Sequence, residues 1–150
     1  MNKLKRVGAF LAAALATTLL GTLVQTQFNL ARLGELGIAV PPGLRLEVTG
    51  RDLVGFAPSL GVLTLLAFLV AFPVAGLLHR RIARRRTALY VLAGAVAITA
   101  MLLSMEVALG LVAIAAARGA GGFAALVACG ALGGWTFARM SAAPGGEPAL

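Results

Sequence analysis

The sequence predicts an all-α integral membrane protein built as a bundle of four transmembrane helices. Three observations carry that expectation. Of 150 residues, 60% are apolar and only 12% charged, with a mean hydropathy of +0.96, whereas a soluble domain is about half apolar and about a quarter charged. Four apolar runs are each long enough to cross a bilayer. Basic residues collect in the short segments between those runs. Such a chain cannot clothe a folded unit in a water-compatible surface, so a soluble domain, a disordered chain and a disulfide scaffold are excluded. The whole of 1–150 reads as a single membrane domain.

A spanning helix needs about 20 apolar residues, since the hydrocarbon core is about 30 Å thick and each residue rises about 1.5 Å. The first run is Val7–Gln25. Lysines and an arginine precede it, as in a signal peptide. The run is longer than a usual signal core and Thr22–Gln27 offers no small-x-small cleavage site, so it reads as an uncleaved signal anchor. The second run is Pro58–Leu78, with Pro58 suited to the first helical turn, where its missing N–H costs nothing. Pro73, mid-run, removes one helical hydrogen bond and is expected to kink the helix as a packing accommodation or a hinge. The third run is Thr87–Met105 and the fourth Gly119–Ala138. Residues 106–118 are apolar but too short to span alone. They are expected to lie at the outer interface or to cover the bundle, with Gly119–Gly122 letting the chain turn back.

Orientation follows from the basic residues. One set of flanks carries Lys3, Lys5, Arg6, Arg80, Arg81, Arg84, Arg85, Arg86 and Arg139, nine of the thirteen. The other carries Arg32, Arg45, Arg51 and Arg118 beside Glu35, Glu47, Asp52 and Glu106. Short basic flanks resist translocation, so both termini are expected in the cytoplasm. Arginine outnumbers lysine and glycine is abundant, a profile of GC-rich bacterial genomes. The expected location is therefore the bacterial cytoplasmic (inner) membrane.

The larger outward loop, 26–57, is expected to form a small cap. Leu30, Leu33 and Leu36 follow helical spacing, Pro41-Pro42-Gly43 signals a turn, and Leu44, Leu46 and Val48 alternate with polar residues as a short extended piece would. The cytoplasmic loop His79–Arg86 is short, which makes the second and third helices a hairpin. Its arginines serve first as a topology anchor. In a functional role Arg80, Arg81, Arg84, Arg85 and Arg86 would contact anionic lipid.

Polar residues at membrane depth are functional suspects because burying them in lipid is costly. Glu106 lies a full crossing beyond Thr87, which places it in an outer layer with Gln25, Gln27, Asn29, Arg51, Asp52 and Arg118. These seven form a candidate outer-interface polar site in which Glu106 would pair with Arg118 or Arg51. The plainer reading is capping and snorkelling. Gly130 and Gly134 form a G-x-x-x-G pair that permits close helix approach, more readily within the chain than between chains, and Ala93 and Ala97 offer a similar small face on the third run. Trp135 suits an interfacial anchor.

Several chemistries have no residues to support them. Phosphate loops, nucleophile elbows and H-E-x-x-H or C-x-x-C motifs are all missing. Cys129 is alone, which excludes an intrachain disulfide or cysteine cluster, and His79 is the only histidine, so no metal or cofactor is expected. No aromatic residues interleave the basic runs, which excludes nucleic acid. The expected partners are the lipid bilayer, anionic lipids at the cytoplasmic face, and a membrane protein or further copies of the chain. The expected function is that of a non-enzymatic membrane component binding a partner or lipid. A small transporter or channel subunit acting as an oligomer, and a membrane enzyme with an outer-interface polar site, are the alternatives.

Overall fold

A computed structural model describes residues 3–82 and 85–142. Five α-helices follow in order: α1 (Lys3–Glu35), α2 (Pro42–Gly55), α3 (Ala57–Ile82), α4 (Arg86–Leu109) and α5 (Ala120–Met140), with a 3-10 turn at Ala115–Arg118 before α5. No strand occurs among the described residues. The helices α1, α3, α4 and α5 are each long and apolar enough to cross a membrane. The chain is thus all-helical, with the architecture of a multi-pass membrane protein.

All four long helices exceed the apolar runs read from the sequence. The largest difference is at α1, which continues for 33 residues to Glu35 rather than breaking near Gln25. Thr26 and Leu30 stay buried along this extension, so the helical spacing at Leu30 and Leu33 belongs to the last part of α1, and Leu36 lies just past its end. α4 reaches Leu109 and stops at Gly110, whose φ of 66° is left-handed, the conformation that lets glycine end a helix. The reversal thus begins at Gly110. Gly119 itself sits in extended backbone at φ −125°, and the expected role of Gly119–Gly122 as the turn is corrected. Gly122 serves packing instead, because a side chain there would collide with the Ala116 carbonyl.

Residues 44–49 are helical, not extended. Pro41 is the N-cap in β conformation, Pro42 opens the helix, and Arg45 N–H donates to the Pro41 carbonyl at 3.1 Å. Proline pre-set at the first helical position explains the start. The polar residues Arg45, Thr49 and Asp52, spaced four and three apart, then share one face. On α3, Pro73 lies inside a helix that runs on to Ile82.

The core is closed at two seams. Between α4 and α5, glycines replace side chains: Gly94, Gly130 and Gly134 abut so closely that a Cβ on any of them would strike backbone of the other helix. Small residues let helices gain dispersion contacts where lipid offers no hydrophobic drive. Ala97 is buried on this side of α4, while Gly94 takes the central place rather than Ala93. The second seam is aromatic. Phe72 stacks on Phe68 at 4.4 Å and on Phe137 at 4.6 Å, and meets Phe10 and Tyr90 edge-on at 6.1 and 5.8 Å. Outward, Val70, Val74, Leu92 and Val96 remain exposed, an apolar perimeter suited to lipid.

Candidate functional sites at the two ends of the bundle

Because the long helices alternate in direction, the molecule has two unlike ends. One gathers the start of α1, the end of α3, the start of α4 and the end of α5. It carries Lys3, Lys5, Arg6, Arg80, Arg81, Arg85, Arg86 and Arg139. The other gathers α2, the 3-10 turn and the opposite helix ends, where Arg32, Arg45, Arg51 and Arg118 are matched by Glu35, Glu47, Asp52 and Glu106. Every acidic residue among those described lies at this second end.

The seven residues of the candidate polar layer do fall at the second end, but they do not converge on one site. Gln25, half-buried, accepts the Ala116 N–H at 2.7 Å and so ties the 3-10 turn onto α1. Asp52 accepts from the Thr26 hydroxyl at 2.6 Å, which fastens α2 to α1. Gln27 accepts from Arg45 at 3.2 Å and donates to Thr49 at 3.4 Å. Arg51 pairs with Glu47 one turn earlier at 2.7 Å, and Arg118 donates to the Val112 carbonyl at 3.3 Å. Glu106 and Asn29 are exposed. The expected pairing of Glu106 with Arg118 or Arg51 is not formed. Thr26, Arg45 and Thr49, which the sequence reading passed over, complete this network, and the four-then-three spacing on α2 was the signal for it.

Gln25, Gln27 and Asp52 are therefore spent on holding two short elements over the bundle. Below them, Ile114 and Ala116 are buried against the core. Deeper still, Thr17 donates to the Cys129 carbonyl at 3.3 Å, and the Thr22 and Thr64 hydroxyls are buried without a partner. A void of about 10 Å³ lies between Thr17, Thr64 and Cys129, room for about one water. Phe68 is fully buried and, with Thr17, packs against Gly133.

The basic end differs. Arg86, half-buried, donates to the Ala138 carbonyl at 2.7 Å and to the Ser141 carbonyl at 3.1 Å, and also bonds the Ser141 hydroxyl. Its guanidinium lies over the Tyr90 ring, 5.2 Å from the centroid. It is a staple between α4 and the end of α5. Arg139 similarly covers Trp135 at 5.2 Å. Arg80, Arg81 and Arg85 are exposed, and Arg84 lies outside the described residues. Beside Arg86 opens a cavity of about 510 Å³ whose polar rim is Arg6, His79, Arg80 and Arg86. Phe10, Phe72, Tyr90 and Phe137 form its floor. Neither Arg6 nor the aromatic floor was singled out from the sequence, since residues so far apart in the chain meet only in the bundle.

The chain matches no family model, and no curated protein or solved structure is significantly similar to it. Its function must be read from these two ends alone. No group of three or more histidine, cysteine or acidic side chains that could hold a metal ion occurs among the described residues.

Proposed function

We propose that this protein is a non-enzymatic component of the bacterial cytoplasmic membrane that holds anionic lipid at its cytoplasmic face, with both termini inside. The observation that carries this reading is the segregation of charge. The basic end has exposed arginines and no carboxylate among its described residues, whereas acidic and basic side chains at the other end balance in number and Arg51 pairs with Glu47. Basic clusters beside a membrane helix attract anionic headgroups with about 1 kcal/mol per residue, and the same clusters resist translocation. The polar layer at the opposite end supports a structural role for Gln25, Gln27, Asp52 and Arg118, which argues against an enzyme built on Glu106, Arg51 and Arg118. A pore through the middle of a single chain is disfavoured by Phe68, fully buried in its core.

The test is thermal unfolding of protein reconstituted in vesicles of phosphatidylcholine with and without phosphatidylglycerol. The expected result is a higher melting temperature in the anionic vesicles, reduced by salt and by neutralising Arg80, Arg81 and Arg85 together. Equal melting in both vesicles overturns the reading.

A further inference from the structure

The cavity at the basic end has the form of a site for one molecule rather than a diffuse charged surface. Three guanidiniums reach it from three different helices: Arg6 from α1, Arg80 from α3 and Arg86 from α4. Arg86 is immobilised by its bonds to the end of α5. Arg6 and Arg80 are exposed and bond to none of the described residues. Arginine matches phosphate oxygens through paired, charge-assisted hydrogen bonds. Arg6 and Arg80 can offer such bonds, and Arg86, whose terminal nitrogens already bond the end of α5, adds a fixed positive charge; with no nearby acid among the described residues the cavity is complementary to a phosphate.

The side of the cavity is of another kind. Val7, Leu69, Pro73 and Leu77 line it, and Val7, Leu69 and Leu77 are 54, 61 and 62% exposed, so the wall is open to the surrounding hydrocarbon. From Arg80 down to Leu69 is eleven residues of α3, about 16 Å at 1.5 Å per residue. The cavity therefore runs from headgroup level well into the acyl region. At its lower end Pro73, inside α3, has no N–H to give the Leu69 carbonyl. A free phosphate would use the rim and leave the apolar wall empty. A lipid uses both.

We propose that this cavity binds one anionic phospholipid, its phosphate between Arg6, Arg80 and Arg86 and its chains along Leu69, Pro73 and Leu77. This rests on the reading of the basic end as a lipid-holding face and makes it specific. The experiment is native mass spectrometry of the full chain in detergent, titrated in parallel with phosphatidylglycerol, phosphatidylcholine and inorganic phosphate. The expected result is one phosphatidylglycerol retained per chain, with phosphatidylcholine held more weakly and inorganic phosphate unable to displace the lipid. The double variant Arg6→Gln/Arg80→Gln should bind about tenfold more weakly or worse, as loss of charge-assisted bonds implies. Both side chains are exposed and unbonded, so that variant should melt as the parent does. The variant Lys3→Gln/Lys5→Gln, exposed at the same end but outside the cavity, should retain the bound lipid. Equal loss in the two double variants overturns the cavity while leaving the lipid-holding face intact. Displacement of lipid by inorganic phosphate overturns the lipid assignment in favour of a soluble anion. Absence of any preference for phosphatidylglycerol overturns both the cavity and the wider reading.

Discussion

Gly134 shows how much rests on single atoms in this bundle. A Cβ there would press onto the Tyr90 carbonyl, and backbone cannot step aside as a flexible side chain can. Gly134→Ala should therefore push α4 and α5 apart and lower the unfolding free energy in detergent micelles by about 1–3 kcal/mol, the usual cost of overpacking. Gly50→Ala is the contrasting case, because nothing lies within 4 Å of its Cβ position. That substitution should stabilise α2 by about 0.5–1 kcal/mol through helix propensity. Equal effects of the two variants would contradict the close-contact account. Gln25 is a third residue of this kind. Gln25→Leu leaves the Ala116 N–H without its acceptor, at a cost of about 1–3 kcal/mol for an orphaned donor. Hydrogen exchange should then speed up at Ala116 and leave the centre of α4 unchanged.

At the scale of elements, α2 is the least embedded piece, with no buried residue of its own. Its polar face turns inward, onto Thr26 and Gln27 of α1, while Leu46 and Val54 are 77 and 80% exposed. Hydrogen bonds to α1, rather than apolar burial, thus fix its position. The double variant Asp52→Ala/Gln27→Ala should release α2 as a unit. Proteolysis within residues 36–55 should become faster, while the melting of the four long helices stays close to the parent value. Unchanged protease resistance would show that α2 is held by other contacts. The connection between α4 and α5 follows the opposite logic. Ile114 and Ala116 are buried there, so that segment should stay protected in the same experiment.

For the molecule as a whole, the unlike ends give a topological prediction. Reporter fusions after Leu78 and after Ala142 should both be active in the cytoplasm, and a fusion after Gly37 should report from outside. Neutralising Lys3, Lys5 and Arg6 should leave that pattern in place, because the arginines at 80–86 remain on the same side. An external report from the fusion after Leu78 would reverse the molecule and remove the basis for lipid contact at the cytoplasmic face.

The four long helices were legible in the sequence because hydrophobic length is a one-dimensional property and the bilayer thickness fixes it. So was the segregation of charge, which needs only the order of residues along a chain that reverses at each loop. Helix ends were less legible. Hydropathy falls at Gln25 although α1 continues to Glu35, since the continuation buries only Thr26 and Leu30 and is tied to α2 by hydrogen bonds, and alternation at Leu44–Val48 suggested a strand where a proline-started helix with a polar inner face forms. Only the tertiary structure decided which polar residues are free. Gln25 and Asp52 are spent on bonds to Ala116 and Thr26, and Arg86 on Ser141, partners from 26 to 91 residues away. It also decided that Arg6, Arg80 and Arg86 line one cavity with Phe10, Phe72, Tyr90 and Phe137, because convergence in space depends on how helices pack and leaves no trace in the spacing of a sequence.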